Sequence, residues 1–243
     1  VLGIAAFATL RGITAVLRVA TVDAVAISFP GGQDLPSLLA AATGMTRQTL
    51  AGSVGVGLGG VLLAWALSRQ EGRSADNLLG GLGLGAVVAL LWWVSGRLGH
   101  VAEDPNTLQE AFLATNSQRM ESLTFVAPMA YTIDWLIFFS DKSKLLTIAI
   151  VSTVGVVVGS WLYAIATRSF RWEGFRGVQD TANHLLGAVL MGIGGVTAMG
   201  CTIGQGLSGL STLSLTSFVA VAAIIAGAVA GLRFQFWQVE RSA

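Results

Sequence analysis

The chain has 243 residues and a formal net charge of +1, with 53% hydrophobic and 11% charged residues. Soluble domains carry roughly 25% charged residues, so this composition excludes an ordinary soluble domain, and the near-zero net charge excludes the basic surface that binds nucleic acid. One cysteine excludes an intrachain disulfide and a cysteine-only metal site, and the two histidines lie far apart, so we expect no metal and no cofactor.

Apolar runs of about 20 residues recur along the chain, and this is the length that crosses the ~30 Å hydrocarbon core of a bilayer. The sequence therefore predicts an all-α, polytopic helical membrane protein. The predicted elements, in chain order, are a helix end at 1–19, a short interfacial helix at 36–42, and spans at 49–67, 77–96, 145–166, 183–199 and 213–232. The apolar run before Arg11 lacks the basic start of a secretory signal and is too short to span, so we expect the chain to begin inside a helix.

The segment 118–141 is predicted to enter the membrane without crossing it. It holds two short apolar pieces, 123–127 and 133–139, which we expect to hinge at Pro128. Positive charge favours the cytoplasmic side of a membrane. That rule places the C-terminus and the loops 68–74 and 167–177 on the cytoplasmic side. It places the polar regions 20–46 and 97–144 on the outer side. Both ends of the segment then lie outside, which predicts a re-entrant pair of short helices.

The stretch 194–212 (GGVTAMGCTIGQGLSGLST) is predicted to be a glycine-rich, hydroxyl-bearing break between two apolar helices. Lipid cannot hydrogen-bond to exposed backbone, so non-helical chain at membrane depth must be buried in protein or line a wet cavity. Broken helices of this kind hold ions and substrates in transporters. Small residues at this density also allow close helix packing, and the spacing alone favours neither interpretation.

A weak internal repeat links residues 1–11 and 223–233. Both are rich in small apolar residues and close on Leu-Arg. The charge rule places the first outside and the second inside, as an inverted repeat requires. The repeat predicts two related halves, although short apolar runs match easily by chance.

The run 200–212 (GCTIGQGLSGLST) resembles the signature of the YeeE/YedE family of bacterial sulfur-transport membrane proteins. Three further runs resemble the same family in the same order: 121–128 (ESLTFVAP), 170–175 (FRWEGF) and 182–185 (ANHL). The resemblance covers about 118–237 well and 1–117 more loosely. It implies an inverted-repeat transporter with re-entrant short helices, whose residues 1–117 are the remainder of the first half and connecting spans. Residues 118–243 would then be the second half, with the re-entrant hairpin and the cysteine loop.

The resemblance implies uptake of a small sulfur anion, thiosulfate first, through a multi-pass protein of the bacterial inner membrane with a cytoplasmic C-terminus. The implied partners are thiosulfate, the lipid bilayer and a cytoplasmic sulfur-carrier protein of the TusA type. The family's first-half cysteine segments, expected ahead of 1–19, are absent from this sequence. The chain is therefore expected to be the later portion of such a transporter and to need the missing N-terminal part as a further partner.

The predicted substrate site is centred on Cys201. A neutral thiol is a weak donor on a soft, polarizable sulfur, which suits an ion that must bind and then leave. A nearby anion opposes ionisation, so we expect Cys201 to remain a thiol. Glycines beside it would expose backbone N–H groups, and neutral side chains would add donors. The substrate-binding set is predicted to be Gly200, Cys201, Thr202, Gly204, Gln205, Gly206 and Ser208.

Three residues are candidates for a supporting role. Glu121 lies beside the predicted re-entrant piece, where it could gate or orient that piece or be an outer-surface carboxylate. His184 could line the pore, although a histidine near a helix start more often bonds a loop carbonyl. Asp134 stands among apolar residues, where a charge is costly and often functional. Pairing with a nearby arginine and contact with substrate explain Asp134 equally well.

Two other functions compete with transport. A sulfur-relay enzyme would carry a persulfide on Cys201, which requires a lowered thiol pKa, a cationic neighbour and exposure. No Lys, Arg or His lies within ten residues of Cys201 in the sequence, which favours a transporter over an enzyme. A non-transporting membrane subunit is the third possibility.

Overall fold

The fold is taken from a computed structural model, which describes residues 1–25, 29, 31–104 and 108–242, without the side chains of residues 239 and 242. The described residues contain nine α-helices: α1 (Leu2–Arg11), α2 (Ile13–Thr21), α3 (Leu35–Thr43), α4 (Arg47–Ser68), α5 (Ala75–Trp93), α6 (Val126–Ile137), α7 (Ile148–Ala166), α8 (Val178–Thr197) and α9 (Leu215–Ser242). A π-helical turn, Val94–Leu98, extends α5, and a second one, Gly204–Gly209, lies between α8 and α9. Two short strands, β1 (His100–Val101) and β2 (Ala111–Phe112), pair antiparallel.

Four of these helices are long and apolar enough to span a membrane. They are α4, α5 with its π-helical turn, α7, and α9 as far as Gln238. The pair α1 and α2 would be a fifth span if it acts as one, although it bends by 58° at Gly12. The prediction of an all-α, polytopic membrane protein is confirmed.

Two predicted spans differ from the structure. Helix α8 does not qualify as a span, because polar residues such as Asp180 and Asn183 occupy its first two turns. Helix α9 does not end at the second Leu-Arg pair of the proposed repeat but continues through Arg233 to Ser242. Its last turns remain helical with an aromatic and basic face, where the Arg241 guanidinium lies 4.2 Å from the ring centroid of Trp237.

The predicted hinge at Pro128 is wrong. Residues 126–137, which include the end of the first apolar piece and most of the second, form one twelve-residue helix, α6, and Pro128 lies in its first turn. A proline is tolerated there because the first amides of a helix have no intrahelical partner to lose. At 1.5 Å per residue, α6 is ~18 Å long, well short of the hydrocarbon thickness. Its re-entrant placement stays a prediction.

The chain divides into two compact units. Unit 1 comprises residues 1–26 and 82–204, and unit 2 comprises 27–81 and 205–243. This division by contacts is not the predicted division at 117/118, which concerns the halves of a repeat and stays a prediction.

Helix α1 packs against both α6 and α8 in unit 1. The core of this contact is small: Ala6 is fully buried, next to Val126, Ala130 and Val196. Glycine allows the close approach, because a Cβ at Gly192 would lie 2.7 Å from the carbonyl oxygen of Leu2. Small residues of this kind let helix backbones meet where lipid provides no hydrophobic driving force.

Unit 2 joins α3 to the start of α9. The Leu35 amide donates to the Leu213 carbonyl and the Leu215 amide to the Gln33 carbonyl, each at 3.0 Å. Asp34 accepts from the Ser37 amide at 2.7 Å and so caps α3, and it also pairs with Arg47 at the start of α4. The hydrogen bond from Arg47 holds the pKa of Asp34 at about 2, well below its ordinary value.

Candidate functional site

The break that carries Cys201 is much shorter than predicted. Helix α8 runs to Thr197, and helical structure resumes at Thr202. Only residues 198–201 are therefore non-helical. The glycine-rich segment that follows can form helical turns where neighbouring residues pack against it. Met199 adopts a left-handed φ of 55°, and the Gly200 amide then bonds to the Gly195 carbonyl at 2.8 Å.

Cys201 lies where two helices begin. Its side chain is half-buried against the core of Ala6, Val126, Ala130 and Val196. Four backbone amides donate hydrogen bonds toward its sulfur, two from each helix start. They belong to Phe125 and Val126 at the start of α6, and to Ile203 and Gly204 in the helical segment 202–211. We call residues 124–126 and 200–204 the cysteine site.

The polar groups that converge on the sulfur are backbone amides. The first N–H groups of a helix lack intrahelical partners, and the helix dipole adds partial positive charge at the same end. No side chain caps α6 at Phe125, so its first amides stay available. Helix starts of this kind favour negative charge beside them. Because the sulfur accepts from amides, the S–H bond is polarised and its proton is left for another acceptor.

Gly204 allows the two helix starts to meet. A Cβ at this position would lie 2.7 Å from Oγ1 of Thr124 and 3.2 Å from its Cβ. The contribution of Thr124, Phe125 and Val126 to this site was not predicted from the sequence. Their apolar run just ahead of Pro128 is typical of a helix start, and that signal could have located their amides.

The predicted substrate set is divided between the two units. Gly200, Cys201, Thr202 and Gly204 belong to unit 1, where Gly200 is buried and Thr202 is exposed. Gln205, Gly206 and Ser208 belong to unit 2.

In unit 2 the polar members of the set bond to protein. Oε1 of the buried Gln205 accepts from the Ser217 hydroxyl at 2.7 Å, which ties the π-helical turn to α9. The Ser208 carbonyl accepts from the Ser211 hydroxyl at 2.6 Å. Gly206 is half-buried, and a Cβ at this position would have its nearest contact at 3.9 Å, on Val221. The structure therefore assigns Gln205 a packing contact.

Glu121 holds the segment that leads into α6. Its carboxylate Oε1 accepts from the Ser117 amide at 2.9 Å. Its backbone bonds Ser95 in both directions, with the Ser95 hydroxyl donating to the Glu121 carbonyl at 2.7 Å and accepting from the Glu121 amide at 3.1 Å. The predicted role of Glu121 in orienting or gating α6 stays a prediction.

His184 and Asp134 are both held by protein groups. The exposed His184 bonds the Asp180 carbonyl, one turn earlier in α8, through Nδ1 at 2.8 Å and lies against the ring of Phe175. The predicted partner was a loop carbonyl, and a role of His184 in the pore stays a prediction. Asp134 is buried in α6, where its Oδ2 accepts from Lys144 Nζ at 2.6 Å and its Oδ1 lies 3.7 Å from Arg11. The lysine is the closer partner, whereas the prediction from the sequence was an arginine.

These features define a multi-pass α-helical membrane protein whose single cysteine lies at a junction of helix starts. The chain matches the family model described as Sulphur transport over residues 63–230, more than half of its length, and belongs to that family. It is 30% identical over 115 residues to the thiosulfate transporter TsuA of Escherichia coli (strain K12). That match covers 47% of this chain and 32% of the relative, so the chain spans about a third of the relative's length. The family resemblance inferred from residues 200–212 is confirmed.

Proposed function

We propose that this chain takes part in the membrane transport of a small sulfur oxyanion, thiosulfate first. The observation that carries the proposal is the set of four backbone amides around the Cys201 sulfur. Family membership and the similarity to a thiosulfate transporter support it. The protein is then a transporter and not an enzyme.

The cysteine site would act as one weak station on the path of the ion. The amides stabilise negative charge next to the sulfur, and the polarised S–H donates to the terminal sulfur or an oxygen of the anion. Such donors bind the ion without holding it as a buried cation would, which matches the need for both entry and release. Gly200, Thr202 and Gly204 frame this station, and the Thr202 hydroxyl is the exposed donor among them.

The setting of the protein follows from the same proposal. We place it in the bacterial inner membrane with the loop 167–177 and the C-terminus in the cytoplasm, on the distribution of basic residues. Helix α6 would be re-entrant because it is too short to cross. A cytoplasmic sulfur-carrier protein would receive the imported sulfur.

The test is a pair of substitutions at Cys201, made in the protein as its gene encodes it. Cys201→Ala removes the donor, and we expect uptake of radiolabelled thiosulfate to fall ~10- to 150-fold, because a hydrogen bond to a charged group contributes ~1.5–3 kcal/mol. Cys201→Ser keeps a donor that is harder and more strongly hydrated, and we expect an intermediate loss. Protein level should change little, since both swaps nearly conserve volume.

A matched control is Ser160→Ala, which removes a small hydroxyl from the exposed part of α7. Normal uptake by that variant would tie the loss to the cysteine site. Normal uptake by a well-expressed Cys201→Ala variant would contradict the station and leave Cys201 as packing.

The persulfide enzyme remains the second candidate because the same amides would stabilise a thiolate. Mass spectrometry of the resting protein separates the two: a stable persulfide on Cys201 supports the enzyme, and a free thiol supports the transporter.

A further inference from the structure

A polar cavity of about 330 Å³ lies beside α6, away from the cysteine site. We propose that it is a second binding site, specific for a divalent sulfur oxyanion. This inference rests on the proposed function, since it assigns the same substrate class to a different place. The polar side chains that line the cavity are Arg11, Asp104, Asn116, Gln118, Tyr131, Asp134, Ser143, Lys144 and Thr147.

An ion cluster of Asp134, Lys144 and Arg11 lines the cavity, and the N–H donors of Arg11 are not used within it. Asp134 is bonded to Lys144 at 2.6 Å, whereas its 3.7 Å separation from Arg11 is too long for a hydrogen bond. In the part of the chain that the structure describes, the Arg11 guanidinium donates no side-chain hydrogen bond. Its side chain lines the cavity and is 58% exposed. A guanidinium presents five N–H donors in a fork that fits an oxyanion.

Buried polar atoms without partners also mark the cavity as a site. Among the described residues, Thr147 Oγ1, Asn116 Oδ1 and Asp134 Oδ1 are buried and make no hydrogen bond. Thr147 and Asp134 are only 4% and 3% exposed. Buried polar groups in proteins are nearly always satisfied, so the unpaired Thr147 hydroxyl and Asn116 amide beside one cavity indicate a missing ligand. The Asp134 carboxylate oxygen would repel an anion and is compensated by Arg11 at 3.7 Å. The Thr147 hydroxyl can donate, and rotating the Asn116 amide by half a turn presents its NH₂ group.

The formal charges that line the cavity sum to zero, so an anion would bind there loosely. Arg11 and Lys144 supply two positive charges, and Asp134 and Asp104 supply two negative ones. Because Asp134 already neutralises Lys144, a dianion would be held by Arg11 and neutral hydroxyls, which leaves it free to depart.

Helix α6 relates this cavity to the cysteine site. Val126 directs its amide to the Cys201 sulfur, and Asp134 faces the cavity eight residues later on the same helix. At 1.5 Å per residue, the two places are ~12 Å apart along α6. That distance suits successive stations for one ion.

The experiment uses two substitutions with opposite expected signs, in the protein as its gene encodes it. Sodium thiosulfate and sodium sulfate are titrated into the purified protein to measure Kd, and the KM of thiosulfate uptake is measured in cells. Arg11→Gln should raise the Kd for thiosulfate about tenfold, because it removes a charge-assisted donor. Asp134→Asn should lower the Kd about threefold, because it removes a like charge while keeping the shape.

Thr147→Val tests the proposed anion site even if Asp134→Asn lowers the protein level. It conserves shape and charge, and it should raise the Kd about threefold by removing one neutral donor. Competition by sulfate distinguishes a general divalent oxyanion site from one that requires the terminal sulfur of thiosulfate. Ser152→Ala, which removes a hydroxyl bonded within α7, is the matched control and should leave Kd unchanged.

If the ion cluster were purely structural, Arg11→Gln and Asp134→Asn would lower the stability of the protein. They would not shift the Kd for thiosulfate in opposite directions. Unchanged Kd in Arg11→Gln and Thr147→Val would overturn the proposal. The proposed function is tested separately by Cys201→Ala. Full uptake in that variant contradicts the cysteine station. Loss of uptake with an unchanged Kd for thiosulfate supports two distinct stations.

Discussion

The two ends of α6 differ in the polar groups around them: backbone amides at its start and charged side chains near its end. At its start, backbone amides of Phe125 and Val126 are directed at the Cys201 sulfur. Near its end, Asp134 is buried in an ion cluster with Lys144 and Arg11. The first arrangement depends on how closely two backbones approach, and the second depends on matched charges. Substitutions at the two ends should therefore fail for different reasons.

The largest effect is expected from a side chain placed between the helix starts. Gly204→Val would put a Cβ 2.7 Å from Thr124 Oγ1, so the backbones must separate and the amides lose the sulfur. We expect uptake to be abolished and the apparent Tm in detergent to fall. Overpacking of this kind costs ~1–3 kcal/mol, and a β-branched residue adds to it.

Gly159→Ala in α7 is the matched control, because a Cβ at this exposed position would have no neighbour within 4 Å. Uptake and Tm should stay near those of the natural protein. A Gly204→Val variant that transports normally would show that the close approach is not needed.

The next effect is at the charged end of α6. Asp134→Leu leaves Lys144 without its partner, and removing one member of a buried pair costs ~3 kcal/mol or more. The double variant Asp134→Leu/Lys144→Met removes both charges and should recover much of that loss. Unfolding in detergent, followed for both single variants and the double variant, measures the coupling. Additive losses would show that the pair is too hydrated to couple.

The elements that could be predicted from the sequence are those with a local signal. Length and hydropathy predicted α4, α5, α7 and α9, because a span must be apolar along its own length. The prediction failed at Pro128, since a proline at a helix start and a proline at a hinge look alike in one sequence. The cysteine motif was recognised, but its four amides were not. Two of them come from residues 125 and 126, which only tertiary packing brings to Cys201.

Charge pairs show the same limit. The sequence identified Asp134 as an unusual carboxylate, but Lys144 follows it in a polar segment that gave no sign of folding back. Helix α8 was predicted to be a span because its apolar run, 185–196, resembles most of one. The polar residues at its start make the helix less apolar than that run suggests. Periodicity and composition thus predicted the elements, while the partners of buried polar groups required the fold.

The smallest expected effect is at the exposed counterpart of the Asp134 cluster, the Asp34–Arg47 pair in unit 2. Arg47 is 67% exposed, so solvent screens the pair and its contribution should stay below ~1 kcal/mol. Asp34→Asn removes the charge but keeps a good N-cap for α3, whereas Asp34→Ala removes both and should cost ~1 kcal/mol more.

The pH dependence of this pair has a definite sign. The pKa of Asp34 falls from 3.8 to about 2 on folding, mainly through the hydrogen bond from Arg47. A depressed pKa contributes stability above the unfolded value and loses it as the pH falls through the folded value. The difference in apparent Tm between the natural protein and Asp34→Asn should therefore be constant above pH ~4 and shrink toward pH ~2. A difference that grows on acidification would contradict the assignment, because Asp34 would then be more stable protonated than ionised in the folded protein.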